Sequence, residues 1–431
     1  LLHEISNRIF PLCRNMTRRP LTPTLSPVAR ADGGEGASRA DLIERLAATQ
    51  ADRAHQSLLR RLRTVESIDG ARIVIDGRAL FDFASNDYLG LTQHPALVEA
   101  LTRSAEQWGV GSTAAHLLGG HRAEHAALEE KLARWTGRER ALLFSTGYMA
   151  NLGAMQALIG AGDVCVQDKL NHASLIDAAK LCGAQLKRYV HADAISAGRQ
   201  LATQPGLPAL LATDGVFSMD GDIAPLADLA ALCKTQGATL MVDDAHGIGV
   251  LGGDGAGSLS EAGLDADQAP LLMATLGKAL GVGGAFVSGS AALIDGLVQF
   301  ARPHIYTTAT PPALAAAASV AVDIARFEGW RRDKLVRLIE HFRRGAVERG
   351  IDLLPSRTPI QPVLIGASKA ASLASQALEG EGFFVPAIRP PTVPQGKSRL
   401  RVVLSARHEE SEVEQLLNAL ARAVGRVRTE R

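Results

Sequence analysis

Aromatic side chains are scarce in this chain: three Trp, four Tyr and eleven Phe among 431 residues. So small a supply argues against the base-stacking platforms that hold single-stranded nucleic acid. An excess of charge of one sign is also missing. The formal net charge is +1, so no global field favours nucleic acid or an anionic membrane. The four cysteines, Cys13, Cys165, Cys182 and Cys233, are scattered and form no Cys-x-x-Cys pair. They read as reduced, mostly buried thiols in a cytoplasmic protein. No uninterrupted apolar run reaches the about 18 residues of a membrane-spanning helix. Pro311 to Val322 is apolar but short, Ala-rich and Pro-led, and predicts a buried helix. A kinase-type P-loop is absent, because no Gly-x4-Gly-Lys-[Ser/Thr] occurs.

What the chain does have is length and apolar content. With 46% hydrophobic residues it can bury a sizeable core, divided over about two or three domains. The first forty residues differ from the rest. Thr17 to Ala37 is rich in Pro, Thr, Arg and Gly without periodicity, and residues 1–40 are expected to form a flexible extension. A targeting peptide is the rival, on Arg8, Arg14, Arg18 and Arg19, but no long apolar segment follows them. Residues 41–94 form the next expected part. Ser38 to Asp41 looks like the start of a helix running towards Arg63, and Ala71 to Phe83 alternates around Asp76-Gly77, a hairpin signal.

Residues 95–310 are the expected large domain. Helical patterns alternate there with apolar runs at Ala141–Phe144, Val164–Gln167, Leu186–Tyr189, Ala209–Thr213, Thr239–Val242, Leu271–Ala274 and Gly284–Ser288. Strands spaced by helices imply an α/β fold with a mainly parallel sheet covered on both faces. Ligands in such sheets sit at the carboxyl ends of the strands. Residues 311–431 are expected to form a smaller α/β domain, with strands at Ile360–Leu364, Phe383–Val385 and Leu400–Val403 and a closing helix from Glu410 to Val424.

The most informative segments are Leu240-Met-Val-Asp-Asp-Ala-His-Gly247 and Ala274-Thr-Leu-Gly-Lys-Ala-Leu-Gly281. A carboxylate at a strand end and a lysine in a Gly-flanked loop are what a pyridoxal phosphate site requires. The lysine forms a Schiff base, and the carboxylate keeps the pyridine nitrogen protonated so that the ring accepts electrons. Phe144 to Asn151 follows a strand and opens a helix, where backbone N–H groups favour a phosphate. His172 falls at another helix start, where an imidazole covers a planar cofactor or caps the helix. Ser218 follows a strand and bonds a ring oxygen or caps a turn. Tyr306-Thr-Thr308 offers hydroxyls, with capping as the plainer role. Arg399 and Arg401 share one strand face, where one can fork a carboxylate. A divalent cation on Asp243, Asp244 and His246 is disfavoured, because successive strand residues point to opposite faces. His116, His121 and His125 have no nearby Cys or Glu-x-x-His pattern and read as structural, so no metal is expected.

The order of these pieces resembles the α-oxoamine synthases, PLP enzymes of fold type I, over roughly residues 45 to 425. The resemblance is carried by Phe83-Ala-Ser-Asn-Asp-Tyr-Leu-Gly-Leu91, Gly215-Val-Phe-Ser-Met-Asp-Gly-Asp222, Val242-Asp-Asp-Ala-His-Gly247 and Thr275-Leu-Gly-Lys278. Ala387-Ile-Arg-Pro-Pro-Thr-Val-Pro394 resembles most the branch that condenses L-alanine with a pimeloyl thioester for biotin synthesis. The rivals are a sister using glycine or serine with another acyl-CoA, and a silent PLP-fold subunit. The resemblance implies Lys278 as Schiff-base lysine and proton-abstracting amine, Asp243 as partner of the pyridinium, and His172 as the ring-stacking imidazole. It implies His246 and Ser218 at the ring hydroxyl oxygen, and Gly147, Tyr148 and Thr275 at the phosphate. Thr307 and Thr308 would serve the phosphate of a second subunit, which makes a homodimer with shared sites. Asn86 and Arg401 would hold the amino acid or product, and Arg60 the pimeloyl carboxylate. Gly111-Ser-Thr-Ala-Ala-His116 departs from the more Gly-rich segment frequent among relatives, which bears on the acyl tunnel.

Overall fold

The computed structural model describes residues 41–56 and 58–429. The readings on residues 1–40, Cys13 and the four early arginines among them, lie outside the described residues. The chain divides after Ala51 into two compact units. Of the first unit, the described residues open the helix Leu42–His55. Asp41 caps it, with Oδ1 accepting the N–H groups of Ile43 and Glu44 at 2.7 and 3.3 Å. The helix stops at His55 and does not continue to Arg63. Its end is closed by the Leu58 N–H, which reaches back to the Arg53 carbonyl at 2.8 Å. Such a five-residue closure takes the chain out of helical register.

The second unit begins with three antiparallel strands, β1 (Val65–Asp69), β2 (Arg72–Ile75) and β3 (Arg78–Asp82). The β2–β3 turn is the expected Asp76-Gly77, both residues at positive φ, 52° and 70°. That is the two-residue turn whose twist matches the strands.

The expected apolar runs become β4 (Arg140–Phe144), β5 (Val164–Asp168), β6 (Gln185–Tyr189), β7 (Ala209–Asp214), β8 (Thr239–Asp243), β9 (Leu271–Thr275) and β10 (Ala285–Gly289). They form one sheet in the order β4-β10-β9-β8-β7-β5-β6. The pairs from β9 through β6 are parallel, and β10 runs antiparallel to both of its neighbours. Alternate side chains feed two cores. Leu210, Ala212, Met241 and Met273 pack on one face, with the helix Gly147–Leu158. Leu211, Leu240, Val242 and Leu272 pack on the other. Burial on both faces explains why these strands read as continuous apolar runs.

Two helices, Pro312–Phe327 and Trp330–Glu348, lead to a smaller α/β part. It contains β11 (Ile360–Gly366), β12 (Phe383–Phe384), β13 (Ala387–Ile388) and β14 (Ser398–Val403), and the helix Glu410–Thr429. Its sheet is antiparallel, ordered β11-β14-β13. The run Phe383–Val385 does not join it. β12 instead extends the first sheet, parallel to β3, with Phe383 opposite Phe81. The reason is aromatic: those two rings stack at 5.7 Å, and Phe83 lies 6.3 Å from Phe383.

Candidate active site

The carboxyl ends of β7, β8 and β9 meet around a cavity of about 220 Å³. Its lining includes Gly147, Tyr148, His172, Ser218, Asp243, His246, Thr275 and Lys278. Eight of the residues singled out in the sequence are thereby brought together. Thr307, Thr308, Asn86, Arg60 and Arg401 do not line it.

Asp243 ends β8 and is 5% exposed. Its Oδ2 accepts from Asn151 Nδ2 at 2.7 Å, and its Oδ1 from the Ala245 N–H at 3.1 Å. Asp214 ends the neighbouring β7 directly opposite Asp243 and accepts the His172 N–H at 3.1 Å. Burial and the Asp243 charge hold the Asp214 carboxyl well above the usual carboxylate range. Asp244 points to the other face of the strand end, where it accepts the Ser258 N–H at 2.7 Å. Burial raises its carboxyl to about 7. The two adjacent aspartates therefore serve different surroundings, as strand alternation requires.

Lys278 follows β9 in a loop closed by Thr275, whose Oγ1 accepts the Gly277 N–H at 3.2 Å and donates to the Gly284 carbonyl at 3.0 Å. Burial lowers the Lys278 amine to about 8, against the opposing pull of Asp243 and Asp214. Its Nζ lies 2.9 Å from His246 Nε2. His246 Nδ1 lies 2.6 Å from the Tyr88 hydroxyl, which is 3.2 Å from Asn86 Oδ1. One proton order satisfies this chain: Lys278 donates to Nε2, Nδ1–H donates to Tyr88, and Tyr88 donates to Asn86. Burial and the Lys278 and Arg401 charges keep His246 neutral by lowering its pKa far below 6.5.

His172 caps the helix Ala173–Cys182. Its Nδ1 accepts from Ser174 Oγ at 2.8 Å, and Ser174 Oγ in turn accepts from Asn151 at 2.8 Å. Asn151 thus ties the imidazole to Asp243. At the entrance, Thr146 caps the helix Gly147–Leu158 by accepting the Met149 N–H at 3.2 Å. The N–H groups of the first helical turn have no intrahelical acceptor. A Cβ at Gly147 would meet only the Met273 side chain, at 3.8 Å, so the protein's own packing does not demand a glycine there. Tyr148 donates to Asp177 at 2.5 Å.

Arg399 and Arg401 both project from β14 towards the loop 215–222, but their partners differ. Arg399 is paired with Asp220 at 2.6 Å. Arg401 donates from Nε to the Ser218 carbonyl at 2.7 Å and from Nη2 to Asn86 at 3.2 Å. Among the described residues no carboxylate lies within ion-pair distance of Arg401. His172 and Ser218 also border a second cavity of about 700 Å³, and Thr392 links that cavity to a hollow lined by Arg60. Thr308 forms an isolated bridge with Ala115.

His116, His121 and His125 have ligand atoms within 4.8 Å of one another. His125 nevertheless offers no lone pair. Its Nδ1 accepts the Arg122 N–H at 2.9 Å and its Nε2 donates to the Thr310 carbonyl at 2.8 Å. The imidazole braces the chain at the Thr310 carbonyl.

Asn151, Asp214 and Tyr88 belong to the site and were given no role from sequence. Asn151 lies one helical turn after Gly147, and Asp214, like Asp243, is an acid at the end of an apolar strand. Those spacings were the available signals.

The residues at this cavity fit pyridoxal phosphate: a buried amine, a buried carboxylate fixed by two donors, and a helix start with free N–H groups facing one space. Comparison with known proteins agrees. The family model for aminotransferase class I and II matches residues 78–420. An 8-amino-7-oxononanoate synthase from Alkalilimnicola ehrlichii is 54% identical over 391 residues, covering 90% of this chain and 99% of the relative. One from Pseudomonas putida is 54% identical over 376 residues, covering 87% and 96%. Among solved structures, serine palmitoyltransferase from Sphingomonas wittichii superimposes with a TM-score of 0.86 at 30% identity, covering 90% of this chain and all of the other. The 8-amino-7-oxononanoate synthase from Francisella tularensis gives 0.71 at 29% identity, covering 80% and 98%. This chain belongs to the class I and II aminotransferase family of pyridoxal phosphate enzymes and, within it, to the 8-amino-7-oxononanoate synthases.

Proposed function

We propose that this protein condenses L-alanine with a pimeloyl thioester, with release of CO2 and the thiol carrier, in the cytoplasm and as a homodimer. The observation that carries the reading is the contrast on β14. Arg399 is consumed by Asp220, while the buried Arg401 keeps guanidinium capacity for a carboxylate beside the Lys278 cavity.

Bound pyridoxal phosphate supplies an electron sink for the carbanion formed at the amino-acid α-carbon. In this reading Lys278 would anchor it, Asp243 would hold a proton on its ring nitrogen, and Ser218 and His246 would bond its ring hydroxyl oxygen. Gly147, Tyr148 and Thr275 would receive the phosphate, and Thr307 and Thr308 would reach the phosphate of the partner subunit. The Lys278 amine, lowered to about 8, takes the α-proton of alanine near neutral pH. His172, which lines the cavity, would cover one face of the bound group and exclude water from it. Arg401 and Asn86 orient the alanine carboxylate. The 700 Å³ cavity admits the acyl chain, and the Arg60 hollow receives its terminal carboxylate.

The test is product formation from L-alanine, glycine and L-serine against pimeloyl, acetyl and palmitoyl thioesters on CoA and on acyl carrier protein. Turnover confined to alanine with pimeloyl thioester is expected. Faster turnover of glycine with acetyl-CoA, or of serine with palmitoyl-CoA, refutes the assignment.

A further inference from the structure

His191 lies outside the cavity yet touches both walls that face it. Its Nδ1 is 3.0 Å from Asp168 Oδ1, and its Nε2 is 2.8 Å from Asp222 Oδ2. A carboxylate oxygen only accepts, so both ring nitrogens carry protons and the side chain is an imidazolium. The ring also packs edge-on against Phe217 at 4.4 Å.

Each carboxylate belongs to a different wall. Asp168 ends β5 and starts the turn into His172: its Oδ1 accepts the Leu170 N–H at 2.7 Å and its Oδ2 the Ala192 N–H at 2.8 Å. Asp222 closes the loop that carries Ser218, where the Phe217 N–H bonds the Asp222 carbonyl at 3.0 Å and the Gly221 N–H bonds the Phe217 carbonyl at 2.8 Å. The second oxygen of Asp222, Oδ1, is buried without a hydrogen-bond partner. His191 is therefore the only cation paired with Asp222 among the described residues.

We propose that His191 is a positioning residue: its imidazolium, clamped between Asp168 and Asp222, holds the Ser218 loop in register with the His172 turn and so sets the ring-facing walls of the cofactor cavity. The proposal rests on the reading of that cavity as the pyridoxal phosphate site. Burial opposes the charge on His191, but the hydrogen bonds it donates to Asp168 and Asp222 outweigh it and raise its pKa to about 10. Replacing the ring by a neutral side chain leaves two acids facing one another across the two walls. The Ser218 loop then moves outward, and with it the carbonyl that anchors Arg401.

The test compares His191→Gln, Asp222→Asn and the double variant with the wild type. Each is stripped of cofactor and titrated with pyridoxal phosphate by absorbance, then assayed for alanine KM and kcat once loaded. His191→Gln is expected to weaken cofactor binding and raise the alanine KM by about ten-fold each, with a smaller change in kcat. Asp222→Asn keeps the His191–Asp168 pair and is the milder lesion if His191→Gln fails to fold. It is expected to move the same two quantities in the same direction. The double variant is expected to be no worse than the poorer single one, because the ion pair that Asp222→Asn breaks is one that His191→Gln already removes. Cofactor affinity and alanine KM within two-fold of wild type in both single variants, even with a lowered Tm, would overturn the positioning role. A wild-type protein that fails to bind pyridoxal phosphate would instead overturn the reading of the cavity itself.

Discussion

Replacing Arg401 by Lys separates charge from geometry. The guanidinium already spends Nε on the Ser218 carbonyl and one Nη2 bond on Asn86. The remaining N–H groups form the fork that a carboxylate accepts in two parallel bonds. Such a charge-assisted contact contributes on the order of 1.5–3 kcal/mol. A lysine keeps the charge but gives up the second bond and the Ser218 anchor together. Loss of about half to all of that contribution, at about 1.4 kcal/mol per decade, predicts an alanine affinity weaker by roughly three-fold to a hundred-fold, with the cofactor still bound. Arg399→Lys is the matched control. Its charge is committed to Asp220 at 2.6 Å, so it should change the alanine affinity by less than about two-fold and mainly lower Tm. The assay is equilibrium titration of the cofactor-loaded variants with L-alanine, read from the cofactor's visible absorbance. Equal losses in the two variants, or the larger loss at Arg399, would refute the placing of the carboxylate at Arg401.

Other outcomes follow from single contacts. Lys278→Ala should abolish turnover and leave no lysine that borohydride can link to the cofactor; a trapped adduct at another lysine would contradict it. Asp243→Asn should keep pyridoxal phosphate bound but slow exchange of the alanine α-proton by orders of magnitude, measured by NMR in deuterated buffer. Thr113, a β-branched residue at φ 58°, carries backbone strain of about 1–3 kcal/mol; Thr113→Gly should raise Tm by about 1–2 °C after the entropic cost of glycine, read by calorimetry. His191, raised to about 10, binds its proton more tightly folded than unfolded. Its stabilisation is full below pH 6.5 and lost as pH rises through 10, so the Tm gap between wild type and His191→Gln should narrow from pH 6 to pH 10.

The sheet was legible because strands buried on both faces are apolar throughout, and their carboxyl ends told where to look for chemistry. Asp243 and Lys278 were legible as an ordered pair, since each sits at a strand end in a turn of small residues. Asn151 was not, because what gives it meaning is a bond to Asp243, 92 residues away. The same holds for His191, whose two acids lie 23 and 31 residues from it in opposite directions along the chain. β12 escaped because a two-residue strand has no periodicity, and only the stacked Phe81 and Phe383 decide its partner. Arg399 and Arg401 were rightly placed on one strand face. Composition could not tell them apart, because the difference is Asp220.

The loop 215–222 ties Arg401, the proposed holder of the amino-acid carboxylate, and the cofactor cavity to one piece of backbone. Arg401 holds the Ser218 carbonyl and Arg399 the Asp220 carboxylate. The hydroxyls of Ser356 and Thr358 both donate to the Gly221 carbonyl at 2.8 Å, and His191 holds Asp222. Five polar side chains hold this loop, four of them on the smaller α/β part and the segment before β11, and one, His191, in the turn after β6. Polar contacts of this kind contribute little net stability each, but a misplaced one leaves a buried group unpaired at a cost of about 1–3 kcal/mol. The loop is therefore held to one position more firmly than apolar packing alone would hold it. Gly221, at φ 72°, makes that position possible, because a Cβ there would lie 2.3 Å from the Ile360 carbonyl oxygen. A side chain at residue 221 should accordingly displace Ser218 and Arg401 together, and weaken cofactor and alanine binding in the same variant.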